Sequence, residues 1–241
     1  MAKSLRDIEF EVVNGMLKCE YNQLTSLDGC PDSVKRLYCG FNQLTSLDGC
    51  PESVVKLTCA HNDLTSLKGC SQGVIELYCD DNQLTSLDGC PEGVIALSCG
   101  YNNLTSLEGC PESVIKLWCD NNQLASLKGC PKSVIQLCCD RNQLTSLEEC
   151  PNSIIVSYIA KNPLNSTYAG KSLKEIHSIN RIKKFRKGIS IVNKIILNHN
   201  ANNIQKIWDD YWYKPNEQGE SRIAKKQYIK LYGSQSQKET L

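Results

Sequence analysis

The residues that first ask for a chemical explanation are fifteen cysteines in a chain of 241 residues. Cys19, Cys39, Cys59, Cys79, Cys99, Cys119 and Cys139 form one column at 20-residue intervals, and Cys30, Cys50, Cys70, Cys90, Cys110, Cys130 and Cys150 form a second. Thiols in such numbers can bind a metal, close disulfides or fill a core as small hydrophobes. A stacked column would hold sulfurs about 4.8 Å apart, which keeps a thiolate metal site conceivable, but the paired Cys-x-x-Cys spacing of zinc sites is missing. Both columns occupy places where apolar side chains are needed, so packing is the expected role. No cofactor is expected. Cys138 lies outside both columns at an outward strand position, and is expected to be the accessible thiol of the array. No basic neighbour is placed to make it a thiolate.

Other constellations are thinner. His61 should lie near Asp81 one repeat on, yet no serine or cysteine nucleophile accompanies them in a catalytic pattern, so an enzyme is not expected. Asp120, Asn121 and Asp140 could approach a calcium ion but offer few ligands. Lys183, Lys184, Arg186 and Lys187 cluster around Phe185, a pattern suited to nucleic acid or an acidic protein surface, or to a solvated helix face.

These residues are carried by a frame that repeats every 20 residues over 17–164: Leu-x-Cys-x-x-Asn-x-Leu-Thr-Ser-Leu-x-Gly-Cys-Pro-x-Ser-Val-x-x. A fixed period this short implies a solenoid of stacked coils. One unit buries Val34, Leu37, Cys39, Leu44, Leu47 and Cys50, worth roughly 10 kcal/mol. Ordering its twenty residues costs about 20–40 kcal/mol. A single repeat therefore cannot fold, and each coil must be covered by its neighbours.

Leu37 and Cys39 alternate with Tyr38, which predicts a short strand with one face inward and equivalent strands side by side in parallel. Asn42 and its equivalents stand where the chain turns and should form an internal amide ladder. Gly49, Pro51 and Ser53 break any helix, so the return path should be extended or a tight turn. Residues 1–16 should cap the first coil, with a hairpin at Asn14-Gly15.

Leu37-x-Cys39-x-x-Asn42-x-Leu44 resembles the leucine-rich repeat motif with cysteine in an aliphatic place. The 20-residue length and the phrase Asn82-Gln83-Leu84-Thr85-Ser86-Leu87 are similar to the short repeats of bacterial effector proteins, although Gly89-Cys90-Pro91 departs from the Leu-Pro step usual there. Cysteine-rich repeats followed by a basic helical tail also resemble leucine-rich repeat proteins of giant amoeba viruses. The resemblance implies a parallel β-sheet on a concave face with an extended or turn-built convex side. Some of the effector proteins carry a cysteine-dependent ubiquitin ligase domain after the repeats. Residues 151–241 contain no cysteine, so that activity is not expected here.

Function in a solenoid usually lives on the concave face. The outward strand column reads Lys18, Tyr38, Thr58, Tyr78, Ser98, Trp118, Cys138 and Tyr158, and further positions supply Tyr21, Phe41, Asp80, Asp81, Tyr101, Asp120 and Asp140. These vary while the packing residues repeat. Aromatic anchors beside carboxylates suit a protein partner that offers basic and apolar groups. The candidate partner-binding residues are Tyr38, Tyr78, Asp80, Asp81, Tyr101, Trp118, Asp120, Asp140 and Tyr158.

Residues 165–241 read as a basic α-helical region. Leu173, Ile176, Ile179, Ile182 and Phe185 recur at helical spacing, with a break expected at Gly188. A second stripe, Val192 to Trp212, and a third helix over 221–232 would follow. Residues 1–162 carry net −8 and residues 163–241 net +9. The tail could therefore dock on the array, within one chain or by self-association of two, or it could contact nucleic acid. No apolar run reaches the ~18 residues of a membrane span, and the start lacks a signal peptide's apolar core, so a cytoplasmic location is expected, the host's cytoplasm for a viral protein.

Overall fold

The computed structural model describes residues 3–197, and divides into a unit Met1–Arg181 and a second beginning at Ile182. In the first unit, a 3-10 turn Leu5–Asp7 precedes strands β1 Val12–Val13, β2 Met16–Lys18, β3 Arg36–Tyr38, β4 Lys56–Thr58, β5 Glu76–Tyr78, β6 Ala96–Ser98, β7 Lys116–Trp118, β8 Gln136–Cys138 and β9 Val156–Tyr158. They form one sheet in sequence order. β1 pairs antiparallel with β2, and every later pair is parallel with a register shift of 20 residues, so Leu37, Leu57, Leu77 and Leu97 stack directly. The two hairpin residues are Asn14 at φ 51° and Gly15 at φ 70°. Both central residues at positive φ give the turn whose twist matches paired strands.

Between strands the chain returns through turns rather than helices. The inward residues Val34, Leu37, Cys39, Leu44 and Leu47 and their equivalents as far as Ile154 are buried in one continuous core. Asn102 shows how the strand end is held. Its Nδ2 donates to the carbonyls of Cys79 (3.1 Å), Cys99 (3.2 Å) and Gly100 (3.0 Å), and its Oδ1 accepts from the Leu84 N–H at 2.9 Å. Two successive coils are thereby tied by one amide. On the return path, the hydroxyls of Ser53, Ser113, Ser133 and Ser153 each donate to the carbonyl of the valine in the preceding coil, at 2.6–2.7 Å.

Glycine is compulsory at one turn. Gly129 has φ +82°, and a Cβ there would lie 2.5 Å from both the Glu108 nitrogen and the Leu107 carbonyl carbon. Neither backbone atom can swing away as a side chain could. Gly129→Ala is expected to cost roughly 1–3 kcal/mol in a urea titration. Gly170→Ala, also at positive φ but with nothing within 4 Å, should cost less; equal losses would refute the clash argument.

The last coil loses the inward leucine, since Ser157 pairs with Leu137. Its open end is covered by Tyr168 and Ile176, both fully buried, with Leu173 and Ile179 packed alongside. Tyr168 Oη donates to Asn180 Oδ1 at 2.8 Å, and Asn180 Nδ2 donates to the Leu147 carbonyl at 2.6 Å. The helix α1, Leu173–Leu197, starts on a capping pair in which Ser172 Oγ and Glu175 Oε2 are 2.8 Å apart.

One expectation for the tail is corrected. The helix runs through Gly188 without a break; an interior glycine costs only about 1 kcal/mol, and this one does not adopt the positive φ that ends a helix. Burial along the apolar stripe falls off toward its C-terminal end. Ile182 and Phe185 are half exposed. The stripe beyond Leu197 and the third helix lie outside the described residues.

Candidate concave interaction face

Along the sheet's outward face, register places Tyr38, Thr58, Tyr78, Ser98, Trp118, Cys138 and Tyr158 in one line. Large aromatic and small residues alternate, so aromatics recur every second strand, about 9.6 Å apart at the usual interstrand spacing. Between Trp118 and Tyr158 the small Cys138 leaves a hollow of about 160 Å³, lined also by Gln136 and Val156. The equivalent place on β6 holds Ala96 and Ser98, between Glu76 and Tyr78 on one side and Lys116 and Trp118 on the other.

Carboxylates flank this line. Asp80 Oδ1 accepts from the Ser98 hydroxyl at 2.6 Å and the Gly100 N–H at 3.0 Å. Burial pushes the Asp80 carboxyl above its ordinary range; those two hydrogen bonds oppose the shift, and the Asp120 charge adds to it. Gly100 is the reason the acids can converge. A Cβ there would lie 3.2 Å from both Asp80 Oδ1 and Asp120 Oδ1. Asp120 Oδ2 accepts from Asn121 at 2.7 Å, and Asp140 Oδ1 from the Ala160 N–H at 2.6 Å. Among the described residues no three His, Cys, Asp or Glu side chains are placed to hold a metal ion.

The next column behaves differently from a flat strand edge. Tyr21, Phe41, His61, Asp81, Tyr101, Asn121, Arg141 and Lys161 all have φ between 51° and 59°. A non-glycine residue there costs about 1–2 kcal/mol. The asparagine that follows each one anchors the turn and holds it in place. The column projects a stack: Tyr21 on Phe41 at 4.4 Å, Phe41 on His61 at 4.0 Å, and His61 Nδ1 paired to Asp81 Oδ2 at 2.7 Å. His61 is thus one rung of a surface ladder and not an isolated side chain. Tyr101 is 53% exposed and Tyr158 61%, whereas Tyr38, Tyr78 and Trp118 are half-buried by their neighbours.

The sequence reading passed over two lines of residues. The first strand position gives Lys56 and Glu76, paired at 2.8 Å, with Lys56 Nζ 4.9 Å from the Tyr78 ring centroid and the Tyr78 hydroxyl 3.3 Å from Glu76. The hydrogen bond from Lys56 lowers the Glu76 pKa and raises that of Lys56. The second is an exposed aliphatic row, Val55, Ile75, Ile95, Ile115, Ile135 and Ile155. Its signal was in the frame: from Val54 to Ile154, the residue after the buried valine or isoleucine of each coil is itself β-branched.

The cysteine columns are unpaired thiols. Cys39, Cys79, Cys99 and Cys119 are fully buried, and burial, followed by the neighbouring thiols, pushes their pKa values well up. Cys79 Sγ donates to the Ser98 carbonyl at 3.2 Å. Cys138, its thiol pushed up to about 11 chiefly by burial, is half-buried with Sγ 3.8 Å from Asp120 Oδ1. It is not singular in being partly exposed, because Cys30, Cys50, Cys110 and Cys130 on the convex turns are also only partly buried. In the second unit, Lys184, Arg186 and Lys187 are exposed on α1 and Lys183 is half-buried.

No protein-family model matches this chain, and no curated protein sequence is similar to it. Solved structures are. A leucine-rich repeat domain of a Shigella effector superposes with a TM-score of 0.54 at 26% identity, over 72% of this chain and 76% of that one. YopM from Yersinia enterocolitica gives 0.49 at 26% identity, over 61% of this chain and 38% of its own. The functional domain of InlJ from Listeria monocytogenes, described as including a cysteine ladder, gives 0.50 at 22% identity, over 67% and 42%. The chain thus spans less than half of the YopM and InlJ structures. The 20-residue period, the parallel one-per-coil strands, the asparagine ladder and the superposition on the Shigella domain agree: the repeats of the first unit fold as a leucine-rich repeat solenoid in which cysteine takes aliphatic places.

Proposed function

We propose that the chain is a non-enzymatic scaffold that holds a protein partner on its concave face, through Tyr38, Tyr78, Trp118 and Tyr158 with Asp80, Asp81, Tyr101, Asp120 and Asp140. The observation that carries this reading is the contrast between an invariant buried frame and outward positions that pair aromatic rings with converging carboxylates. Half-buried aromatics give large contact area at little entropic cost, and the acids favour a basic partner. The Shigella domain supplies the same scaffold at similar length. His61 and Asp81 are joined, but no nucleophile completes a catalytic set with them among the described residues. The unpaired thiols suit a reducing compartment such as the cytoplasm.

A second reading gives the basic cluster of α1 a nucleic-acid partner, favoured by the exposed Lys184, Arg186 and Lys187 around a half-exposed Phe185. Affinity capture from nuclease-treated cytoplasmic extract, under reducing conditions, separates the two. Trp118→Ala should lower recovery of the partner at least tenfold, while Lys183→Ala with Lys184→Ala leaves it unchanged. The opposite pattern would move function to the helix.

A further inference from the structure

We propose that the concave aromatic line binds a proline-rich, basic segment of its partner in the polyproline II conformation, a proposal that rests on the concave-face reading above. The argument is one of period. Tyr38, Tyr78, Trp118 and Tyr158 recur every second strand, with Thr58, Ser98 and Cys138 as the hollows between them. Two interstrand steps span about 9.6 Å. A polyproline II helix repeats every three residues, or about 9.3 Å, and presents the same edge at each turn.

Other backbone conformations fit less well. An extended strand running along the solenoid returns to one face every second residue, at about 6.7 Å and then 13 Å. An α-helix returns after seven residues at about 10.5 Å. From Tyr38 to Tyr158 is about 29 Å. Over that length nine polyproline II residues drift by about 1 Å, and a helix by about 3 Å.

The chemistry of the walls agrees with the period. A proline ring is compact and apolar, and an aromatic-lined hollow such as the 160 Å³ space between Trp118 and Tyr158 accepts it without ordering a long side chain. Polyproline II leaves its carbonyls without internal partners, and the Trp118 indole N–H and the Tyr38 and Tyr158 hydroxyls are the donors that meet them, the Tyr78 hydroxyl being bonded to Glu76. Asp80 and Asp120 repeat at the same two-strand interval beside Tyr78 and Trp118, with Asp140 one strand beyond, so basic residues three apart at the centre of the segment face carboxylates. Since the acids lie to one side of the rings, prolines enter the hollows while the cations line the rail.

The test uses the intact chain and two dye-labelled peptides of equal charge, four Pro-Pro-Lys triplets and four Gly-Ser-Lys triplets, read by fluorescence anisotropy. The proline peptide should bind at least tenfold more tightly than the flexible one. Trp118→Ala should weaken it at least tenfold, and Cys138→Phe, which fills a hollow, should do the same with the thermal midpoint unchanged. Equal affinity for the two peptides, or binding by neither, overturns the proposal. If neither binds but an extract protein is still captured and then lost on Trp118→Ala, the concave face stands and polyproline II recognition falls; if that capture also fails, both fall.

Discussion

Between pH 8 and pH 10.5 this chain should lose its fold. The cause is the inner cysteine column. Cys19 is pushed up to about 12 and Cys39, Cys79, Cys99 and Cys119 well above the ordinary thiol range, first by burial and then by neighbouring charge; Cys59 and Cys139 are raised likewise, also first by burial. A thiol whose folded pKa is raised contributes fully below its unfolded value, about 8.5, and loses that contribution as pH climbs toward the folded one. In that window each thiol removes about 1.4 kcal/mol per pH unit. Seven together remove on the order of 10 kcal/mol per unit, comparable to the whole stability of a domain, about 5–15 kcal/mol. Circular dichroism melts under reductant should be level from pH 6 to 8 and collapse by pH 10.5. Replacing Cys99 and Cys119 by valine should make the fall shallower. A melting midpoint at pH 10 within a few degrees of that at pH 7 would show that the thiols do not govern alkaline stability.

Asn102→Ala should destabilise the array by about 3 kcal/mol, from one buried N–H left unpaired at ~1–3 kcal/mol plus the lost amide bonds and the cavity. The Leu84 N–H in the preceding coil loses its partner, whereas the Cys79 carbonyl keeps the Asn82 Nδ2 donor at 3.1 Å. Asn102→Asp should be worse, since a carboxylate would face the three carbonyl oxygens the amide now satisfies. Asn162→Ala is the comparison. It makes the same kinds of bond, to Cys139, Ile159 and Leu144, at the less covered end of the array. Urea midpoints that fall equally for both variants would mean that burial does not set the strength of the ladder.

How much of this was legible in advance depends on the residue. The asparagines could be read as a ladder because a turn inside stacked coils leaves backbone groups that only a short amide can reach. The cysteines could be read as packing because their interval equals that of the leucines. The aromatic and acidic residues could be placed on one face by alternation alone. Their pairing could not. That Lys56 meets Glu76, that Tyr21, Phe41 and His61 stack, and that Gly100 lets Asp80 and Asp120 converge are facts of register and rotamer. The break expected at Gly188 was a local rule applied where neighbouring helical residues outweigh one glycine.

By itself the sequence determined the period, the solenoid, the inward set and the columns that face outward, because a 20-residue repeat admits one stacking in which every coil buries the same side chains. Only the tertiary structure decided the left-handed turn at Tyr21, Phe41, His61 and their equivalents, and which wide and narrow places alternate along the concave line. Those depend on contacts between residues twenty or forty positions apart. Such contacts exist only once the coils are stacked.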